Sequence, residues 1–180
     1  MLLSWGKPKI FVKDKETSGA KWRLLHTPVE DSTTLETSEG DTVEAKVEGG
    51  EIEDVMVKVD TYALKFEERL VKGRKKSFAD HEGVVKNNYE VYLQPEDPTA
   101  YGLHIDTGRV SVSDSYSAAD GIKQAVTINA LKNDNTTQIE FGVVTISEVG
   151  GEYVPSFTPI QAESETAEES DGNGGEVPTE

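Results

Sequence analysis

The residues of this sequence that could do chemistry are its histidines, carboxylates and hydroxyls. It has no cysteine, so thiolate nucleophiles, thiolate metal sites and disulfides are excluded. His26, His81 and His104 stand far apart with no HxH or HxxxH spacing. A metal centre would have to draw them from distant strands, and the expected role is surface or partly buried histidine. Carboxylates adjoin at Glu51, Glu53 and Asp54, at Glu67 and Glu68, and at Glu96 and Asp97, the raw material of a glycosidase acid and base. With 34 acidic residues in 180, such neighbours arise by chance. Asp31, Asp41 and Asp114 sit in polar segments that suit a hard cation such as calcium, but none has the spacing of an EF-hand loop. Serines and threonines cluster where turns need them, with no GxSxG elbow, and no phosphate-cradling glycine pattern appears. No catalytic, cofactor-binding or metal-ligating residue is therefore assigned. The chain reads as one that assembles or binds and not as an enzyme.

Charge narrows the partners. The formal net charge is −16, of which the last twenty residues carry −7, leaving −9 on residues 1 to 160. That tail has no Lys or Arg and only Val177 as a sizeable apolar residue, so it cannot bury enough surface to offset ordering. The expected organisation is one domain over 1–160 and a disordered acidic tail over 161–180. A body this acidic repels phosphate backbones at long range. Its one basic cluster is Arg69, Lys72, Arg74, Lys75 and Lys76, read as a loop between strands or a subunit contact. The opening MLLSWGKPKIFVK lacks the apolar run of a signal peptide, and no later run reaches membrane-spanning length, so a cytoplasmic start and no membrane partner are expected.

The elements that would position these residues are strands. Alternating apolar and polar residues recur at 9–13 (KIFVK), 21–26 (KWRLLH), 42–47 (TVEAKV), 89–93 (YEVYL), 103–106, 109–113, 124–131 and 138–147, separated by turn-forming clusters. The first two predict a hairpin. In 42–47, Val43, Ala45 and Val47 share one face, as in a half-buried strand, and Gly49-Gly50 supplies a turn. Residues 51–70 predict two strands or one bent strand with a register change near Asp60 and Thr61; beyond it Tyr62, Leu64, Phe66 and Glu68 share a face. Ser77 could cap a short helix through Phe78, Ala79 and Val84, although Gly83 weakens it. Residues 30–40 are read as a polar loop. The sum is mainly β: an antiparallel β-sandwich or barrel of about nine strands, with one short helix, long loops and the disordered C-terminal tail.

Two stretches, PVEDSTTLETSEGDTVEAKVEGGEIEDV and TYALKFEERLVKGRKK, carry a family resemblance. With the later VYLQPEDPTAYGLHI, VSVSDSYSAADG and TINALKNDNTTQIEFGVVTIS, the sequence is similar to phage major tail proteins of the tail-tube class. The match is to the type encoded in phages and prophages of Bacteroidota, and covers most of residues 5 to 147. The acidic tail departs from the compact core of that class. The resemblance implies hexameric rings stacked into a tail tube, with other tail proteins as partners. DNA would pass through an acidic lumen without specific binding, and the protein would reside in the virion tail after a period in the host cytoplasm. The expected strands carry no internal proline, which leaves sheet edges open to a neighbour. Arg69, Arg74, Lys75 and Lys76 are the expected contacts to Glu51, Glu53 and Asp54 of an adjacent subunit.

The competing reading is a carbohydrate-binding or adhesion sandwich in which Trp5, Trp22, Tyr92 or Tyr101 stacks on sugar rings. The ordinary role of these aromatics is core packing.

Overall fold

A computed structural model describes residues 6–133 and 137–161, and they form twelve strands, all paired antiparallel. They are β1 (Lys9–Asp14), β2 (Arg23–Leu24), β3 (Thr34–Ser38), β4 (Thr42–Lys46), β5 (Ile52–Val57), β6 (Thr61–Leu70), β7 (Asp80–His81), β8 (Val84–Gln94), β9 (Tyr101–Ser117), β10 (Gly121–Ala130), β11 (Glu140–Val149) and β12 (Glu152–Pro159). Ten of them make one sheet whose main path runs β2-β1-β8-β9-β10-β6-β3. Mainly antiparallel β is therefore the fold class. The expected tail at 161–180 lies, save Gln161, outside the described residues, as does Trp5.

One face of this sheet encloses the core, so the sheet has to curl. Ile10 and Val12 of β1, Val91 of β8, Ile105 and Val110 of β9, Val126 and Ile128 of β10, and Leu64 and Phe66 of β6 are buried in a single cluster. The period-2 pattern produces this directly, since alternate residues of each strand share a face. Phe11, between Ile10 and Val12, points to the other side and joins Tyr92 and Val144 in a second, smaller cluster. There the β11–β12 ribbon covers the opposite face of β1 and β8, with Trp22, Tyr153 and Phe157 packed in.

The long β9 makes this branching possible. Its first residues pair with β11, through Glu140↔His104 to Val143↔Tyr101, and its later ones with β10, through Ala130↔Gly108 to Gly121↔Ser117. At the branch Gly102 faces Gly142. A Cβ on Gly102 would stand 2.1 Å from the Leu93 carbonyl oxygen, and one on Gly142 2.1 Å from that of Thr158. Only glycine fits this crossing.

Several expectations need correction. The short helix from Ser77 does not form. Phe78 is drawn into the core, and Asp80–His81 turns back on Val84–Val85 as a hairpin. Its turn places Glu82 (φ 52°) and Gly83 (φ 86°) both in the left-handed region, as a tight two-residue hairpin turn requires. The polar segment 30–40 contains an edge strand, β3, whose Leu35 pairs with Leu64. Segments 103–106 and 109–113 are parts of one 17-residue strand. The unexpected β12 carries Pro155 and Pro159, so the open-edge argument does not extend to it. Finally, Val43, Ala45 and Val47 are not half-buried: residues 41–59 are exposed throughout.

Candidate functional site

The exposed segment 41–59 is an arm. β4 and β5 form a two-stranded sheet of their own, joined at Gly49-Gly50 and paired with no strand of the main sheet. At the base the Gly40 N–H donates to Asp60 Oδ1 at 2.9 Å, and the Lys58 N–H to the Asp41 carbonyl at 3.0 Å. Both faces of the ribbon carry exposed apolar residues. Val43 and Met56 oppose each other on one face, while Val55 and Val57 lie on the other, opposite Glu44 and Thr42. Val57 is 67 % exposed, Val59 62 % and Met56 58 %. A lone two-stranded ribbon is marginal in water, and one that exposes valine on both faces lacks the covering layer that stabilises sheets. The arm is also acidic, with six carboxylates against Lys46 and Lys58.

The expected contact residues fall into two groups that the chain does not pair with each other. Glu51, Glu53 and Asp54 all sit exposed on the arm. The cations sit on and beyond the end of β6. Arg69 lies 3.6 Å from Asp120, and Lys76 Nζ reaches Asp114 at 2.6 Å and Asp80 at 3.2 Å. Those two carboxylates hold the Lys76 ammonium above its ordinary range, and Asp114 is correspondingly pulled down by Lys76 and Gln124. Lys76 is thus committed within its own chain. Arg74 and Lys75, like Lys72, are exposed on loop 71–79 with no ion pair among the described residues.

That loop is pinned at several points. Phe78 is buried against Tyr89 in an edge-on contact of 5.1 Å, with Arg23 stacked over its ring. His26 Nε2 meets the Lys75 carbonyl at 3.0 Å. Ser77 Oγ donates at 2.5 Å to Glu68 Oε2, and Glu68 is fully buried. The adjacent Glu67 faces out and pairs with Lys123 at 3.2 Å, so the two carboxylates point to opposite sides of β6 and cannot act as an acid–base pair.

The other candidates resolve as follows. Asp41 pairs with Lys58, Asp114 with Lys76, and Asp31 lines a groove of about 700 Å³ between the start of the chain and β3, so the three aspartates share no site. Glu96 accepts the Lys7 N–H and Asp97 binds Thr99. His81 is exposed on β7. His104 joins a group absent from the sequence reading, because its Nε2 is 3.1 Å from Glu90 Oε1 and Asp106 is near both. The signal was the i, i+2 spacing of His104 and Asp106 on one strand face. Burial raises Asp106, but hydrogen bonds from Lys15, Thr107 and Asn133 outweigh it and hold the carboxyl down at about 2. Lys15 Nζ lies 2.9 Å from Asp106 Oδ2, so the group includes an ion pair. Tyr92 stacks on His104 at 4.3 Å and is pushed up to about 12 by burial and by Glu90, Glu140 and Asp106. Trp22 and Tyr92 are therefore spent on packing.

No protein-family model matches this chain, and no curated protein matches it. Among the described residues no helix is long and apolar enough to cross a membrane.

Proposed function

We propose that this protein is a self-assembling structural subunit whose copies form rings, and that the rings stack into a tube of the phage-tail type. The arm at 41–59 carries the reading. It is an apolar-faced ribbon held outside the fold, and a second copy of the same chain supplies the layer it lacks. The cations Arg74 and Lys75 and the carboxylates Glu51, Glu53 and Asp54, all exposed and in no ion pair among the described residues, are complementary in charge. Exposed pairs contribute only about 0 to 1 kcal/mol each, so they set register while apolar burial holds the contact. Strand β3 offers an open edge next to the arm and contains no proline. Six copies per ring, other tail proteins as partners and DNA sliding past an acidic wall follow from the family resemblance.

The test is charge reversal at Arg74→Glu and Lys75→Glu, followed by sedimentation. Assembly at ordinary salt should fall while the monomer's circular dichroism stays unchanged. Full-sized assemblies from the reversed protein would exclude this pairing.

A further inference from the structure

Two buried oxygen acceptors in this fold have no hydrogen-bond partner, Glu68 Oε1 and Gln124 Oε1. Both side chains are fully buried, and the two residues are directly opposed across β6 and β10. Gln124 also stands opposite Asp114 of β9 and donates its Nε2–H to Asp114 Oδ1 at 2.8 Å. Since β10 lies between β9 and β6, an amide whose nitrogen is turned to β9 turns its oxygen toward β6 and Glu68. Two buried acceptors without a partner, on residues directly opposed across neighbouring strands, are costly, and one shared proton would satisfy both.

We propose that Glu68 is protonated on Oε1 in the folded protein and donates to Gln124 Oε1, latching the basic loop 71–79 to the sheet until ionisation of Glu68 opens it. The latch is a closed circuit. Ser77 donates to Glu68, Glu68 to Gln124 and Gln124 to Asp114, while Lys76 beside Ser77 binds Asp114. The loop is thereby held by two consecutive residues at the two ends of a polar ladder across three strands. Burial raises the Glu68 carboxyl against the Ser77 hydrogen bond and the charges of His26, Arg23 and Arg74, which lower it. Around it lie Arg23 of β2, His26 beyond it, Arg74, Lys75, Lys76 and Asp80 near the loop, Asp114 of β9 and Tyr89 of β8. Arg23 is drawn toward the Phe78 and Tyr89 rings, and Lys76 is held by Asp80 and Asp114.

The latch rests on the assembly reading only for its consequence, control of the loop that presents Arg74 and Lys75. Its test uses the full-length chain at concentrations where it is a monomer, so failure to assemble leaves the result intact. The urea midpoint is measured from pH 5 to pH 9 for the wild type, for Glu68→Gln, and for His26→Asn, which removes the histidine's own charge change. A carboxyl raised on folding stabilises the protein fully below its unfolded value. That contribution is lost as pH rises toward the folded value, at up to about tenfold in the folding constant per pH unit. The wild type and His26→Asn should therefore lose midpoint with rising pH, with faster hydrogen exchange at 71–79. Glu68→Gln, whose amide donates to Gln124 at any pH, should lose the part of the slope that His26→Asn keeps and be more stable than the wild type at pH 9. A wild type with no slope, a Glu68→Gln that follows the wild type, or a Glu68→Gln that cannot fold at pH 5 would each overturn the latch.

Discussion

Replacing Val55 and Val57 together by threonine is the sharpest perturbation of the arm. Threonine keeps the β-branched shape and so the strand preference, while each substitution exchanges a methyl for a hydroxyl. In the lone chain both valines are already exposed, at 48 % and 67 %, and the change should stay within about 0.5 kcal/mol, as for other surface positions. In a subunit contact the same face is dry, and a hydroxyl buried without a partner costs about 1 to 3 kcal/mol. The pair should thus weaken each arm contact by at least about 2 kcal/mol, roughly thirtyfold in its association constant. Urea unfolding at low concentration and light scattering across a concentration series read the two effects separately. The expected result is an unchanged unfolding midpoint and a raised threshold for assembly. A double variant that assembles at the wild-type threshold would refute the reasoning, since the valines would then remain in water, and a clear loss of monomer stability would show that the arm packs on its own body.

Gly142→Ala should destabilise the fold by about 1 to 3 kcal/mol, because the new methyl meets the Thr158 carbonyl at the sheet branch; the loss would be read in urea, and the loosened ribbon in the near-ultraviolet signal of Trp22 and Tyr92. Phe78→Ala should cost about 3 to 5 kcal/mol and release loop 71–79, checked by calorimetry and hydrogen exchange. Asp106 is held down on folding, so the stability it contributes is present above its unfolded value of 3.8 and should be lost as pH falls toward 2. Lys15→Met removes its main partner and should flatten that acid limb in a pH series of thermal melts.

The strands were legible where one face is buried. Residues Tyr62, Leu64, Phe66 and Glu68 alternate in phase, and the structure buries Leu64, Phe66 and Glu68. The same alternation at Val43, Ala45 and Val47 misled, because period 2 reports that a strand has an apolar face and not whether the fold or another chain covers it. The helix at Ser77 failed because Phe78 had a deeper place in the core than one helical turn could offer. Strand β3 was hidden by its polarity, as edge strands commonly are. The expected contact residues were chosen on charge alone, and Lys76 pairs with Asp114 from 38 positions away, a separation that no local pattern encodes. The Glu68–Gln124 pairing likewise exists only in the β6–β10 register.

The most direct measurement is the size distribution of the purified protein by light scattering with negative-stain electron microscopy, across concentration and salt. The account expects rings or tubes that grow with concentration and lose their order when the arm is altered. A wild-type protein that stays monomeric at high concentration would contradict it and turn attention to glycan binding.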